Sequence, residues 1–294
     1  MFRLGIDLGG TKIEGIVRDE QGNECFRKRI STEQEQGYAH ILDRIKTLYG
    51  LMVDACDGKE HTIGIGTPGA LSLRTGLLKN SNTVCMNGKP LKDDLEQRLG
   101  RKIAIQNDAN CFAMAEALFG AGKGKDIVFG VIMGSGCGGG IIYKGNVITG
   151  LQAIGGEWGH MSIDPDGPEC YCGTRGCVET FISGRGLEKR YAETYGEKRS
   201  LKDIAKDYDD GDTKAGEFIR IFFRHFGRAM ANLINVLDPD IVVLGGGVSN
   251  FKAIYSEGVK EVKNCVFSDS LETPIVQHQL GDSAGVIGAA LIGC

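Results

Sequence analysis

Glycine-rich turns that follow apolar runs constrain the fold of this chain more than any other feature. Such turns occupy positions 9–10, 134–140 and 245–247, each directly after a strand-like segment. Glycine makes up 45 of the 294 residues, about twice its usual share of ~7%. Glycine tolerates positive φ and lets a ligand approach the backbone closely. The turns therefore indicate a protein that binds a nucleotide or a phosphate.

The strand–turn–strand arrangement occurs twice, at residues 4–17 and again at 127–143. Each copy is followed by segments that alternate between helical and strand-like spacing of apolar residues. Two such halves predict an α/β protein with two lobes and a central cleft. We expect residues 1–118 with 285–294 to form a smaller N-terminal lobe closed by a C-terminal helix. Residues 119–284 would form a larger lobe that contains a cysteine-rich segment.

Charge and composition exclude several classes of protein. The net charge is −4, with no block of like charges, which argues against nucleic acid or a membrane surface as a partner. The first residues enter a strand-like segment directly, so we expect no secretory signal. The longest uncharged run, residues 127–143, is too short to cross a bilayer. Ten cysteines fall short of a disulfide scaffold, so we expect a cytoplasmic protein with reduced thiols.

The stretch Gly64-x-Gly66-x-x-Gly69 has the glycine spacing of the dinucleotide-binding pattern but not the structural context that this pattern requires. That pattern needs a helix directly after the glycines and an acidic residue about 20 positions further on. Pro68 and the residues after it do not predict a helix, and no acid is suitably placed. The sequence also lacks a Walker loop. A bound nucleotide must therefore be held in another way.

The first glycine turn has the chemistry of a phosphate site. In residues 7–12 the glycine N–H groups, the Thr11 hydroxyl and the Lys12 cation can face a phosphate, and Asp7 can hold Mg²⁺ through water. A plain Gly-Gly hairpin is the alternative for this turn alone. Three such turns on two lobes favour contacts with ATP. The predicted ATP-contacting residues are Asp7, Gly9, Gly10, Thr11, Lys12, Gly134, Ser135, Gly136, Cys137, Gly138, Gly246 and Gly247.

A cysteine–histidine block indicates a metal site. His160, Cys170, Cys172 and Cys177 lie within eighteen residues. One imidazole and three thiolates form a standard closed set for tetrahedral Zn²⁺, in which the metal is structural because no position stays open. Four unrelated core residues are the alternative, but three cysteines in eight positions argue against it. The segment 164–168 between the ligands is irregular, and a bound metal would stabilise it.

Residues 107–110 read Asn-Asp-Ala-Asn, between a short strand and a helix predicted over residues 110–118. The carboxylate of Asp108 at a strand end is a suitable general base for a substrate hydroxyl. Capping of the helix is the alternative, and this motif by itself favours the cap. Glu157 and Glu179 flank the proposed zinc ligands, so zinc would orient two carboxylates suited to a polyhydroxylated ligand. Ordinary surface acids are the alternative for this pair.

Taken together, the motifs resemble those of the ROK family of bacterial sugar kinases. The order and spacing of the motifs match from Leu4 to residues 281–285. The resemblance is carried by residues 7–12, 107–110, 134–138, 157–160, 170–179 and 245–250. It implies the actin-like (ribonuclease H-like) ATPase fold. One departure is Ser135, where members of the family usually have threonine, and the hydroxyl is retained.

The resemblance implies transfer of the γ-phosphoryl group of ATP, with Mg²⁺, to the 6-hydroxyl of a hexose. Asp108 would be the catalytic base, and His160 would serve zinc with one ring nitrogen and the sugar with the other. We also expect a homodimer. The residues expected around the sugar are Asn82, Asn107, Asp108, Glu157, His160 and Glu179.

The motifs favour fructose or glucose as the sugar, with an N-acetylhexosamine as the alternative. The predicted pocket is rich in acceptors, and no separate feature supplies a partner for an acetamido group. The pair Glu157-Trp158 resembles the corresponding pair in the plain-hexose kinases. The N-acetylglucosamine kinases tend to have phenylalanine after the glutamate. The stretch 80–83 resembles fructokinases and places fructose slightly ahead.

Two non-catalytic classes compete with the kinase interpretation. Repressors of the same family carry a helix-turn-helix domain before the kinase-like body, whereas here the first strand is expected at about residue 3. The chain also lacks a basic patch. A sugar sensor without catalysis is disfavoured by the presence of Asp108.

Overall fold

The computed structural model describes residues 1–293 and divides into two compact units. Among these residues, the first unit comprises 1–118, 146–155 and 280–293, and the second comprises 119–145 and 156–279. The predicted lobe boundaries after residues 118 and 284 stay a prediction, and Cys294 lies outside the described residues. Within residues 1–293, no helix combines the length and the apolar character needed to cross a membrane.

Within the described residues, the first unit contains eight strands and four α-helices, besides short 3-10 turns, and the elements are numbered here in chain order. They are β1 (Phe2–Leu8), β2 (Lys12–Arg18), β3 (Glu24–Ser31), α1 (Tyr38–Ala55), β4 (His61–Thr67), β5 (Ala70–Leu71), β6 (Leu78–Lys79), α2 (Leu91–Leu99), β7 (Ala104–Asn107), α3 (Asp108–Phe119), β10 (Asn146–Val147) and α9 (Ala284–Ile292). The main sheet has the order β3-β2-β1-β4-β7. β1 to β3 are antiparallel neighbours, while β4 and β7 continue the sheet in parallel.

Helix α9 lies directly on β1 and β4 because glycines leave room for its backbone. A Cβ atom on Gly5 would come within 2.4 Å of the carbonyl oxygen of Val286, and one on Gly64 within 2.0 Å of that of Ala289. A side chain at either position would separate the helix from the sheet. Helix α9 also buries apolar side chains against the sheet, where Val286 and Ala290 cluster with Ile16.

The second unit repeats this arrangement of strands. Its elements are β8 (Ile127–Met133), β9 (Cys137–Tyr143), α4 (Val178–Ile182), α5 (Gly184–Tyr195), α6 (Leu201–Asp209), α7 (Thr213–Leu237), β11 (Ile241–Gly245), α8 (Glu257–Cys265) and β12 (Ile275–Gln277). β9 is antiparallel to β8, and β11 and β12 run parallel to β8. An antiparallel hairpin followed by parallel strands thus occurs in both units. The prediction of a duplicated α/β architecture is confirmed.

The core of the second unit is built on the long helix α7. Phe218, Phe222 and Phe226 are buried along one face of this helix, as their spacing predicts. The apolar spacing along residues 218–236 also predicts Val236 on this face, but Val236 is 87% exposed. In the last turn the buried stripe passes through Leu233 and the partly buried Leu237, so Val236 points away from the core. The prediction for Val236 is wrong.

Candidate functional site

The first glycine turn, between β1 and β2, is closed by backbone hydrogen bonds. The N–H of Gly9 donates to the carbonyl oxygen of Lys12 at 2.9 Å, and the hydroxyl of Thr32 donates to the carbonyl oxygen of Gly9 at 2.7 Å. The side chains of Thr11 and Lys12 are exposed. The turn therefore holds a hydroxyl and a cation at the surface of the first unit, as a phosphate site requires.

Asp7 lies at the end of β1, opposite Glu14 on β2. Burial, and then the charge of Glu14, raise the pKa of Asp7 to about 6. Glu14 is almost fully buried and is paired with the Nε atoms of Arg27 at 2.5 Å and Arg29 at 2.8 Å. A carboxylate oxygen is the type of ligand that Mg²⁺ prefers. A cation beside Asp7 would favour its ionised form.

The structure shows how helix α3 begins at the Asn-Asp motif. The side-chain oxygen of Asn107 accepts the N–H of Ala109 at 2.9 Å, and its amide nitrogen donates to the carbonyl oxygen of Gly69 at 3.1 Å. Asn107 therefore caps the helix. Asp108 lies in the first helical turn, where one of its oxygens also accepts the N–H of Ala109, at 2.8 Å. The helix starts two residues earlier than predicted because the cap is Asn107.

Gln106, which the sequence analysis did not identify, holds this junction in place. Its side-chain oxygen accepts the N–H of Asn107 at 2.9 Å and the side-chain amide of Asn110 at 3.0 Å. Its amide nitrogen donates to the hydroxyl of Thr149 at 3.3 Å. Gln106 thus connects the residues around Asp108 to a segment 43 positions further along the chain. Nothing in the local sequence distinguishes it from an ordinary strand residue.

Asn82 is exposed between two buried residues, Ser81 and Thr83. The side chain of Asn87 fixes this stretch: its oxygen accepts the N–H of Ser81 and its amide donates to the carbonyl oxygen of Ser81, both at 2.8 Å. The first unit therefore contains three of the predicted sugar-binding residues, namely Asn82, Asn107 and Asp108. Their contact with a sugar stays a prediction.

The second unit brings the four predicted metal ligands together. The ligand atoms of His160, Cys170, Cys172 and Cys177 all lie within 4.8 Å of one another. The Sγ atoms of Cys172 and Cys177 are 3.6 Å apart, and Nδ1 of His160 is 3.7 Å from Sγ of Cys170. Tetrahedral Zn²⁺ with Zn–S bonds of about 2.3 Å places its ligand atoms about 3.6–3.8 Å apart. The donor set and the distances fit zinc.

The loop that presents these ligands is shaped by its own backbone. The N–H of Cys170 donates to the carbonyl oxygen of Thr174 at 2.8 Å. Gly176 has a φ of +67°, and a Cβ atom there would lie 1.6 Å from the carbonyl oxygen of Asp164. Only glycine fits this close crossing, which brings Cys177 back beside the other ligands.

Glu179 extends from the metal-ligand segment to the second glycine turn. Its Oε2 atom accepts the backbone N–H of Cys137 at 2.8 Å. A Cβ atom on Gly136 would lie 2.6 Å from the same oxygen. Glu179 therefore packs against a turn that is predicted to contact ATP. Together with Glu157 and His160, it forms the second-unit part of the predicted sugar-binding set.

A pocket of about 940 Å³ lies within the second unit, where two glycine turns meet. Gly134, Ser135 and Gly247, three of the predicted ATP-contacting residues, line one part of it. Leu201 and Ala205 of α6 contribute an apolar wall. Phosphate-type turns beside an apolar surface suit a nucleotide, which carries charge at one end and a flat ring at the other. The contribution of α6 was not predicted from the sequence.

Two further glycines of the second and third turns, Gly246 and Gly139, are required by packing within the unit. Gly246 has a φ of +80°, and a Cβ atom there would lie 2.5 Å from the carbonyl oxygen of Met133. Cys137 is buried at the start of β9. A Cβ atom on Gly139 would lie 2.7 Å from the ring of Trp158. Close ligand approach was expected to explain this glycine cluster, but packing under Trp158 accounts for Gly139.

Two units, each with an antiparallel hairpin followed by parallel strands, define the actin-like ATPase fold that was predicted. The chain belongs to the ROK family, whose model matches residues 3–293. It is 39% identical over 300 residues to N-acetyl-D-glucosamine kinase of Vibrio cholerae, with 98% of each chain covered. The predicted family is confirmed.

Two solved structures are similar over the whole chain. The ROK hexokinase from Thermus thermophilus has a TM-score of 0.87 and 31% identity, and the match covers 100% of this chain and 98% of that one. A ROK family glucokinase from Streptomyces griseus, in complex with glucose and AMPPNP, has a TM-score of 0.80 and 31% identity, with 100% and 99% covered. The predicted fold class is confirmed.

Proposed function

We propose that this chain is an ATP-dependent sugar kinase whose substrate is N-acetyl-D-glucosamine. The observation that carries the kinase assignment is the pocket of the second unit, in which the second and third glycine turns meet beside an apolar wall. The similarity over the whole chain to sugar kinases supports it. The 6-hydroxyl of the sugar would attack the γ-phosphorus of ATP, and ADP would leave with the electrons of the broken P–O bond.

Asp108 is the group that would take the proton of the attacking hydroxyl. Phosphoryl transfer depends mainly on positioning and on stabilisation of charge, with one carboxylate as the base. Mg²⁺ held near Asp7 would neutralise charge on the phosphates. Zinc would be structural and would orient the segment that carries His160 and Glu179. The residues proposed to bind the sugar are Asn82, Asn107, Asp108, Glu157, His160 and Glu179.

The choice of sugar differs from the preference for fructose or glucose that the motifs suggested. That preference used Trp158, but Trp158 is a core residue. It is 3% exposed, and it meets the ring of Phe129 edge to face at 5.9 Å. A side chain directed into the core carries little information about the sugar. The curated relatives at 37–39% identity are named N-acetyl-D-glucosamine kinase, which favours the alternative. Glucose is the second candidate, because a glucokinase is 31% identical.

An assay that couples ADP release to NADH oxidation tests both parts of the proposal. N-acetyl-D-glucosamine, glucose, fructose and N-acetylmannosamine should be compared at equal ATP and Mg²⁺. We expect the highest kcat/KM with N-acetyl-D-glucosamine. A higher value for glucose or fructose would transfer the assignment to a plain hexose. The absence of sugar-dependent ADP release with every sugar would overturn the kinase assignment. The expected homodimer is tested separately by light scattering.

A further inference from the structure

Tyr171, between two of the metal-ligating cysteines, contacts the ring nitrogen of His160 that faces away from the metal cluster. Its hydroxyl oxygen lies 3.1 Å from Nε2 of His160. The two rings meet edge to face, with centroids 5.3 Å apart and an interplanar angle of 87°. The other ring nitrogen, Nδ1, lies 3.7 Å from Sγ of Cys170. The two nitrogens of His160 therefore have different partners.

Zinc held through Nδ1 would determine which nitrogen of His160 carries the proton. A neutral imidazole that binds zinc through Nδ1 carries its proton on Nε2. In that tautomer the Nε2–H group would donate to the hydroxyl oxygen of Tyr171. In the proposed function, the same N–H group donates to a sugar hydroxyl. Because a strong hydrogen bond must be short and nearly linear, one N–H group cannot serve both oxygens well.

The side chain of Tyr171 is placed where it can leave His160 at low cost. It is 73% exposed, so little packing is lost when it rotates away. Rotation of this exposed side chain would break its contact with Nε2 of His160.

We propose that the Tyr171 hydroxyl takes the place of a sugar hydroxyl on His160 when no sugar is bound, and that the sugar displaces it. This inference rests on the proposed function. In this role Tyr171 is a positioning residue, because it keeps the ring of His160 oriented in the sugar-free protein. It also weakens sugar binding, because its hydrogen bond must break before the sugar can make its own.

The variant Tyr171→Phe removes the hydroxyl and keeps the ring. We expect KM and Kd for N-acetyl-D-glucosamine to fall about two- to tenfold, the range that the net free energy of one hydrogen bond implies. The values of kcat and of KM for ATP should stay the same. Tyr143→Phe, the same change at a tyrosine that is 45% exposed at the end of β9, is the matched control and should change nothing. Zinc content is measured for all three proteins.

The direction in which KM and Kd for the sugar change distinguishes competition between Tyr171 and the sugar from the other roles that a tyrosine could have. A rise in KM and Kd for the sugar would show that the hydroxyl contacts the sugar, and would overturn the inference. Unchanged values, or a loss of zinc from Tyr171→Phe, would overturn it as well. The Kd is measured by calorimetry without ATP, so it tests Tyr171 even if the wild-type protein shows no turnover. A wild-type protein that binds no sugar would overturn both the inference and the proposed function.

Discussion

The carboxylate of Glu179 accepts the backbone N–H of Cys137 at 2.8 Å, and this contact joins the metal-ligand segment to the second glycine turn. Glu179 lies two residues after Cys177, one of the predicted metal ligands. The turn that it contacts begins with Gly134 and Ser135, which line the nucleotide-sized pocket. A change in the metal segment would therefore affect the shape of that pocket as well as the proposed sugar contacts.

The variant Gly136→Ala should displace Glu179 with little effect on folding. The new Cβ atom would lie 2.6 Å from Oε2 of Glu179, which is the end of a flexible side chain that can move. Because a carboxylate proposed to bind the sugar loses its position, we expect KM for the sugar to rise about tenfold, equivalent to ~1.4 kcal/mol. Steady-state kinetics at saturating ATP measure this. Gly216→Ala is the control, since nothing lies within 4 Å of its Cβ position. Equal KM values for the two variants would argue against a sugar-binding role for Glu179.

The variant Asp108→Asn should abolish most of the proposed phosphoryl transfer. The amide keeps the size of the side chain but cannot accept the proton of the attacking hydroxyl, so we expect kcat to fall about 10²- to 10⁴-fold. Because the amide can still hydrogen-bond to a sugar hydroxyl, binding of the sugar should change much less than kcat. Asp43→Asn is the matched control, because Asp43 is an exposed acid of the same unit that pairs with Arg98. Near-normal turnover of Asp108→Asn would remove Asp108 from the mechanism.

Zinc should be present at one equivalent per chain and should depend on Cys172. Elemental analysis of the purified protein measures the metal, and we expect Cys172→Ala to lose it because only three ligands remain. Limited proteolysis should then cleave between residues 164 and 176, because the loop would no longer be held by the metal. Cys265→Ala, at an exposed cysteine of α8, should retain zinc. Active wild-type protein without zinc would contradict this prediction.

His225 should make the stability of the protein sensitive to mild acid. Its ring stacks on Phe181 with centroids 4.2 Å apart. Burial, and then the charge of Arg190, lower the pKa of His225 from 6.5 to about 4. Between these two values the unfolded chain binds a proton at this position and the folded chain does not. The free energy of unfolding therefore falls as the pH decreases through this range.

Urea unfolding at pH 7 and pH 5 measures this effect. Allowing for the partial exposure of His225, we expect this group to contribute about 1–2 kcal/mol to the loss of stability. The loss should be smaller by that amount in His225→Gln, which cannot titrate. The difference between the wild-type protein and His225→Gln reports the contribution of His225 alone. Other groups that bind protons in acid, such as the predicted metal ligands, contribute equally to both proteins. The same loss in both proteins would show that another group is responsible.

Local features of this chain could be predicted from its sequence because each depends on neighbouring residues. The glycine turns follow apolar strands, and helix α1 follows from the 3.6-residue spacing of its buried residues. The cluster of possible metal ligands could be predicted because four suitable side chains lie within eighteen positions. Family resemblance added the expected fold. It did not identify the substrate sugar. The preference for a plain hexose was based on Trp158, whose side chain is buried in the core.

Contacts between distant segments could not be predicted. Gln106 meets Thr149 across 43 positions, and no spacing rule connects them. Helix α6 contributes Leu201 to the pocket only because the chain folds back beside the glycine turns. The contact of Tyr171 with His160 required the loop geometry, although the two residues are only 11 positions apart. In each case the packing, which a linear pattern does not contain, determines the partner.

The position of helix α9 has a consequence for the order in which the protein acquires its structure during synthesis. Strands β1 and β4 are made early, but the helix that their glycines accommodate ends at residue 292. One face of the first sheet therefore stays uncovered while the ribosome translates the entire second unit, including its long helix. The second unit has all of its residues available by position 279. Strands β1 and β4 thus precede the second unit in the chain, yet the unit to which they belong is completed after it.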